Sequence, residues 1–203
     1  TARVPYGNKS PETVLKYSNE IVEFLISKNV KAIIIACNTA TALALEKLKD
    51  QFPIPIMGVI EPGVIAAAEQ SINKKIGVIG TAATIQSNAY KNQLNMVSKK
   101  IDVFSQACPL LVPIAEDGWM DETIIDSVLN HYLRPLTNSD IDTLILGCTH
   151  YPVFSRFIKN ILGNKVKLID SPIEVADSFF KLLKNDYLLN KNNVKGDFEC
   201  FIT

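Results

Sequence analysis

Short apolar runs alternate along the whole chain with longer segments of helical periodicity. The runs rich in β-branched residues predict strands over "KAIIIA", "IPIMGVI", "KIGVIGT", "IDVFSQA", "DTLILG" and "KVKLID". The first run is apolar throughout, which is typical of a strand that is covered on both faces of a parallel sheet. Strand and helix in regular alternation predict an α/β fold with mainly parallel sheets.

The segments between these runs carry helix start signals and amphipathic spacing. Ser10 and Pro11 are a predicted N-cap and first helical residue, and the apolar stripe of that helix is expected on Val14, Tyr17, Ile21 and Leu25. Further helices are predicted over "TALALEKLKDQF", "PGVIAAAEQS", Thr84 to Val97, "DETIIDSVLNHYLR" closed by Pro135, "YPVFSRFIKNIL" and "PIEVADSFFKLLKN". The end of the chain, "FECFIT", is expected to begin a strand.

Two of the predicted strand–helix junctions are alike. "VKAIIIACNTA" places Cys37 directly after a strand, and "IDTLILGCTHYP" does the same with Cys148. Ligands of open α/β sheets bind beyond the carboxyl ends of the strands, so both thiols are expected at the ligand-binding edge. Each also lies at the start of a helix, a position that lowers the pKa of a thiol and favours the reactive thiolate.

Polar residues follow each of these cysteines. A cysteine after a buried strand is commonly a core residue, and either site taken alone favours that interpretation. The pairs Asn38-Thr39 and Thr149-His150 shift the balance because such groups are costly to bury unsatisfied, and their backbone N–H groups are suited to binding carboxylates.

Two equivalent thiols that face each other across a pseudo-two-fold axis suit one particular reaction. One thiol removes a proton from a carbon, and the other returns a proton to the opposite face, which inverts a stereocentre without a cofactor. A bare thiol has a pKa of about 8.5, so the base needs a tuning neighbour. His150 is the nearest candidate for tuning Cys148.

Composition and charge argue against several classes of function. The 203 residues, 47% hydrophobic and 21% charged, are typical of a globular protein of one large domain or two lobes. Lys plus Arg equals Asp plus Glu at 21 each, so no net field favours nucleic acid or an acidic membrane surface. No apolar run approaches a membrane span and no leader is evident, so a cytoplasmic protein is expected. The four cysteines and two histidines lack the close spacing of a zinc site, and no metal is expected.

Five motifs, in order and in spacing, resemble those of glutamate racemases in the aspartate/glutamate racemase family. They are "PYGNKS", "ACNTA", "GVIGTAATIQSNAY", "CPLLVPIAEDG" and "LGCTHYP", and the resemblance covers essentially the whole chain. It implies cofactor-independent interconversion of L- and D-glutamate, the D-isomer supplying peptidoglycan synthesis. It also implies two α/β lobes with the substrate between them, expected at residues 1–60 with 171–203 and at 61–170.

The resemblance also implies roles for individual residues. Cys37 and Cys148 resemble the two catalytic thiols, His150 resembles the histidine that assists the second thiol, and Glu116 resembles a carboxylate on the same side. The implied substrate-binding positions are Pro5, Tyr6, Gly7, Asn38, Thr39, Thr81, Thr84 and Thr149. A small-molecule substrate is the expected partner, with a second copy of the chain left open, and neither nucleic acid nor a membrane is expected.

One departure from the family concerns the start of the chain. The family begins with a strand that ends in an Asp-Ser pair followed by a glycine-rich turn, and that Asp assists the first thiol. The sequence instead opens on "TARVPYGNKSP" without Met, which predicts a natural N-terminus further upstream. If the segment is truly absent, little or no racemase activity is expected, with a sheet edge left exposed.

Several alternatives and secondary residues complete the prediction. Racemisation of another acidic amino acid such as aspartate is the nearest alternative. The alternative from another class is a non-catalytic module that binds an acidic amino acid or a protein partner. A thiol hydrolase or a disulfide enzyme is disfavoured, since the latter needs adjacent cysteines. Cys108 is expected in the core, Cys200 is expected to be inert, and His131 is expected on the surface. For Trp119 and Met120 two roles are weighed equally: they line the site, or they pack within a lobe.

Overall fold

The computed structural model describes residues 3–170, 172–192 and 196–202 of the chain. Helices and strands alternate along it, which confirms the predicted α/β class. The helices are α1 (Pro11–Ser27), α2 (Asn38–Gln51), α3 (Ile60–Gln70), α4 (Ala82–Gln86), α5 (Ala89–Val97), α6 (Leu111–Glu116), α7 (Glu122–Thr137), α8 (Ser155–Leu162) and α9 (Pro172–Asn185). The strands are β1 (Ile33–Ile35), β2 (Ile56–Gly58), β3 (Lys75–Gly80), β4 (Asp102–Ala107), β5 (Thr143–Gly147) and β6 (Lys167–Ile169), and a 3-10 turn (Tyr151–Phe154) precedes α8.

The strands form two parallel sheets. The smaller sheet pairs β1 with β2, and the larger has the order β4-β3-β5-β6. Gly80 at the end of β3 is in register with Gly147 at the end of β5. Because the two strands run parallel and end level, the residues that follow them, Thr81 and Cys148, emerge at the same edge of the sheet.

Apolar side chains cover both faces of the larger sheet. One face packs against α6, α7 and α8, with Leu111, Leu129, Leu133, Phe154 and Ile158 fully buried; the other packs against α3 and α5. In the smaller sheet, Ile33 and Ile56 pack against helical residues that include Val22, Ala44 and Leu48. Each large aliphatic side chain so buried contributes roughly 1.5–3 kcal/mol of transfer free energy.

Two predicted helices differ from the observed ones. The segment from Thr84 to Val97 is divided into α4 and α5 at Asn88, whose φ of 57° lies in the left-handed region that asparagine tolerates better than most residues. Pro135 lies inside α7 rather than closing it, since it removes a single N–H bond near the end of the helix, which continues to Thr137.

The buried stripes of α1 and α7 are also displaced from their predicted positions. In α1 the buried residues are Val14, Ser18 and Val22. Of the predicted stripe, Val14 is buried, whereas Tyr17, Ile21 and Leu25 are half-buried. In α7 the apolar spacing predicts a stripe on Ile124, Val128 and Tyr132, and of these Tyr132 is buried while the other two are half-buried. The buried residues of this helix are Ile125, Leu129, Tyr132, Leu133 and Leu136. In both helices the face that meets a neighbouring element decides which residues are buried, and that face is set by packing rather than by local pattern.

Two strand predictions fail in part. Ile34 of β1 is 37% exposed, so this strand is not covered on both faces as its apolar run predicts. Among the described residues β1 pairs with β2 alone, and Ile34 borders two cavities. Residues 196–202 form no strand, and Phe201 packs its ring against Phe24 at a centroid distance of 5.0 Å.

The division into lobes at residues 60 and 171 stays a prediction, and the residue at position 171 lies outside the described part of the chain. In the ranges that are described, no helix combines the length and apolar character needed to cross a membrane. Over the same ranges, no group of three or more His, Cys, Asp or Glu side chains is arranged to hold a metal ion.

Candidate active site

Cys37 and Cys148 line one cavity of about 330 Å³. Cys37 is the N-cap of α2, and its Sγ accepts a hydrogen bond of 3.5 Å from the backbone N–H of Ala40. Cys148 follows β5 and is 7% exposed. The two sequence motifs, far apart along the chain, therefore place their thiols around the same space.

Cys148 begins a chain of contacts that runs to Glu116. Its Sγ lies 3.7 Å from Nδ1 of His150, and Nε2 of His150 is hydrogen-bonded to Oε1 of Glu116. Glu116 is the last residue of α6, and the side chains of His150 and Glu116 are 33% and 52% exposed. With Nε2 donating to the carboxylate, Nδ1 presents a lone pair to the thiol.

Three threonine hydroxyls form a closed ring beside the thiols. Thr39 lies 2.9 Å from Thr81 and 3.0 Å from Thr84, and the last two are 2.9 Å apart, all measured between Oγ1 atoms. All three residues are at most 5% exposed. Thr39 belongs to α2 beside the smaller sheet and the others follow β3, so the ring joins the elements of both sheets.

The loop from Pro5 to Gly7 closes another side of the cavity. All three of its residues line it. A Cβ at Gly7 would stand 2.7 Å from Cβ of Thr81, so glycine at this position permits the close approach of the loop to the threonine ring. Burial raises the pKa of Tyr6, and the charge on Cys37 raises it further, which places its phenol in the electrostatic range of that thiol.

The remaining predicted binding residues, Asn38 and Thr149, also border this cavity. Nδ2 of Asn38 donates a hydrogen bond of 2.7 Å to the hydroxyl of Tyr90, and both residues are buried. Thr149 is exposed. Of the predicted site residues, Thr84 and Glu116 are not in the cavity lining; they reach it through Thr81 and His150.

Comparison with known proteins decides the family. A family model described as "Asp/Glu/Hydantoin racemase" matches residues 1–177. The chain belongs to this family. A curated glutamate racemase from Geobacter metallireducens is 44% identical over 203 residues, which are 100% of this chain and 75% of that protein.

Solved racemase structures share the fold. A glutamate racemase isoform from Bacillus anthracis superimposes with a TM-score of 0.91 at 43% identity, covering 95% of this chain and 72% of that one. A glutamate racemase from Francisella tularensis, solved in complex with D-glutamate, gives a TM-score of 0.88 at 40% identity with the same coverage. The family resemblance and the two-lobe α/β fold expected from the five motifs are thereby confirmed.

The pKa values of Cys37 and Cys148 are raised, whereas the sequence predicts that they are lowered. Burial raises the pKa of Cys148 to about 11, although the backbone N–H of His150 opposes it, and a charge on Cys37 raises the value further. Burial likewise raises the pKa of Cys37, partly offset by hydrogen bonds from Ala40 and Thr39. The predicted lowering at the helix starts is wrong because desolvation of the thiolate outweighs the donors that face it.

Other residues of the racemase lie where they take no part in the cavity. Cys108 is fully buried, as predicted, and burial raises its pKa to about 12. Cys200 and His131 are exposed. Trp119 and Met120 are 59% and 43% exposed and do not line the cavity, so neither of the two roles considered for them is observed.

Sequence reasoning missed Tyr90. It lies within "GVIGTAATIQSNAY", but an aromatic residue at helical spacing predicts a core position and nothing more. Its hydrogen bond to Asn38 depends on how α5 packs beside the start of α2. In the sequence, the one indication of a role for Tyr90 is that it is the last residue of a motif shared with the family.

Proposed function

We propose that the protein racemises glutamate through proton transfer by two thiols. The observation that carries the proposal is that Cys37 and Cys148 line the same cavity. The chain is also 44% identical over 203 residues to a known glutamate racemase. One thiolate removes the α-proton of the bound amino acid. The opposing thiol then donates its proton to the other face of the carbon, which gives the mirror-image product.

The proton balance of this reaction closes within the site. The C–H bond breaks on one face and its proton goes to the thiolate, while the S–H bond of the other cysteine breaks and its proton goes to the carbon. The thiols therefore exchange protonation states in each turnover. A charge on Cys37 raises the pKa of Cys148, which disfavours two thiolates at once and suits a pair in which one acts as base and the other as acid.

His150 prepares Cys148 for the role of base. A thiol with a pKa of about 11 is almost fully protonated near neutral pH, so it needs a neighbour that accepts its proton. Nδ1 of His150, at 3.7 Å, is placed to do so, and the carboxylate of Glu116 stabilises the imidazolium that results.

The substrate carboxylates are bound by donors around the cavity. The start of α2 carries backbone N–H groups that face the space beside Cys37, and the threonine ring supplies hydroxyls that exchange their mutual hydrogen bonds for bonds to the substrate. The proposed reaction uses only groups of the chain and requires no cofactor.

We infer that its product, D-glutamate, is used in peptidoglycan synthesis and that the enzyme acts in the cytoplasm.

The direct test is incubation of the full-length protein with L-glutamate in heavy water, with no added pyridoxal phosphate or metal. The expected result is loss of optical rotation and a D-glutamate product that carries deuterium at the α-carbon. Retained rotation without exchange would refute the proposal. L-Aspartate under the same conditions is the comparison that separates a glutamate racemase from a racemase of shorter acidic amino acids.

A further inference from the structure

The side chain of Tyr90 reaches both of the turns that carry a thiol. Its hydroxyl accepts the 2.7 Å hydrogen bond from Nδ2 of Asn38, the residue after Cys37. Its ring packs against Gly147, the residue before Cys148, because a Cβ added there would stand 3.0 Å from Cε2 of the ring. A single side chain therefore contacts a direct neighbour of each thiol.

Tyr90 is held firmly in this position. It lies on α5, is 3% exposed, and belongs to a buried cluster with Val78, Leu94 and Ile145. Burial raises its pKa far above the ordinary value, the hydrogen bond from Asn38 lowers it in part, and charge on Cys148 raises it again. The hydroxyl therefore stays neutral, and its oxygen remains an acceptor for the amide over the working pH range.

We propose that Tyr90 is a positioning residue, which sets the separation of the Cys37–Asn38 turn from the Gly147–Cys148 turn. The inference rests on the proposed function, because a reaction that needs both thiols on opposite faces of one carbon is sensitive to the distance between them. Catalytic groups must be held within about 0.5 Å of the productive geometry. A misplacement of about 1 Å costs on the order of 100-fold in rate.

Tyr90→Phe tests the hydroxyl while retaining the ring. The substitution leaves Nδ2 of Asn38, a residue only 8% exposed, without its phenol acceptor, so the amide is expected to turn. The expected result is a fall in kcat of about tenfold or more, with KM changed by less than about twofold. Tyr132→Phe is the matched control: Tyr132 is 9% exposed and its hydroxyl accepts from the backbone N–H of Leu110 at 3.4 Å, outside the cavity.

A double-mutant cycle tests whether Tyr90 acts through Asn38. If it does, the variant that combines Tyr90→Phe with Asn38→Ala racemises no more slowly than Asn38→Ala alone. If Tyr90→Phe instead lowered kcat through a general structural defect, its fold-reduction in kcat would multiply with that of Asn38→Ala in the double variant. Multiplying effects, or a kcat of Tyr90→Phe equal to that of Tyr132→Phe, overturn the proposal.

Alkylation by iodoacetamide tests the second turn without requiring turnover. Peptide mass spectrometry reads the rate at each thiol, and a packing substitution on the ring, Tyr90→Leu, is expected to raise the rate at Cys148 severalfold. The fully buried Cys108 reports general unfolding and is expected to keep its rate. An unchanged alkylation rate at Cys148, or an equal rise in the alkylation rate of Cys108, overturns the proposal that Tyr90 positions the Gly147–Cys148 turn.

The two failures are distinguishable. If the wild-type protein does not racemise glutamate but Tyr90→Leu exposes Cys148 selectively, the proposed function fails and the coupling of the turns stands. If the wild type racemises and the Tyr90 variants match Tyr132→Phe in kcat and in alkylation, the proposed function stands and the role of Tyr90 is refuted.

Discussion

Nδ1 of His150 lies 3.7 Å from Sγ of Cys148, while the other ring nitrogen of His150 is hydrogen-bonded to Glu116. The histidine therefore connects a buried thiol to a half-exposed carboxylate. In the proposed mechanism, this contact allows the carboxylate of Glu116 to stabilise the imidazolium form of His150.

Glu116→Gln is expected to slow racemisation by about 10- to 100-fold. The amide carries no charge to stabilise the imidazolium, so His150 accepts the thiol proton less readily. Steady-state kcat measures the effect. Glu122→Gln is the matched control, since Glu122 pairs with Arg156 at 2.6 Å on the exposed surface, and an equal loss in both variants would contradict the role of Glu116.

Cys37→Ser and Cys148→Ser are each expected to abolish measurable racemisation. A serine hydroxyl has a far higher pKa than a thiol and supplies neither the base nor an equivalent acid. Chiral chromatography of the products measures the loss. Cys200→Ser controls for a general effect of removing a thiol, because Cys200 is exposed and lies outside the cavity; near-normal turnover in either site variant would show that the two-thiol assignment is wrong.

Stability is expected to fall at alkaline pH because of the buried thiols. Burial raises the pKa of Cys148 from 9.0 to about 11, so the folded state favours the neutral thiol. The contribution of the neutral thiol to the free energy of unfolding is fully present below the unfolded pKa, and it is lost as the pH rises through about 11. Between the unfolded and the folded pKa, the loss is up to about 1.4 kcal/mol per pH unit. Thermal unfolding at a series of pH values from 7 to 11 checks this, and Cys148→Ala should show a shallower decline than the wild type.

The acid side of the stability profile is expected to depend on Asp142. Partial burial raises the pKa of its carboxyl, but hydrogen bonds from Ser71, Asn73, Thr143 and Ile72 outweigh this and hold the pKa below 3.8. The stability it provides is therefore present above the unfolded pKa and lost as the pH falls through the lower folded value.

Asp142→Asn is expected to destabilise the protein by about 1–3 kcal/mol near neutral pH, because the amide cannot accept all of these bonds. Urea unfolding at pH 7 and at pH 3.5 measures the effect, and the difference between variant and wild type should be smaller at the lower pH. Asp140→Asn is the comparison, since the Asp140 side chain is 69% exposed. A difference that grew on acidification would contradict the role of the carboxylate.

The sequence by itself determined the order and type of the main elements. All six apolar runs contain a strand, because short runs of β-branched residues bounded by turn residues are the typical sequence signal of a buried strand. Helix starts such as Ser10 followed by Pro11 were equally local and equally predictable. The same local pattern places Cys148 directly after β5 and separates Cys37 from the end of β1 by a single residue.

Tertiary structure decided how these local features meet. The buried faces of α1 and α7 and the contact of Tyr90 with Asn38 depend on which elements pack together. The pKa of Cys148 is a further case: a helix start favours the thiolate locally, but burial by the assembled chain reverses the balance. Periodicity along a chain encodes secondary structure, whereas distances and desolvation arise only when residues remote in sequence are brought together.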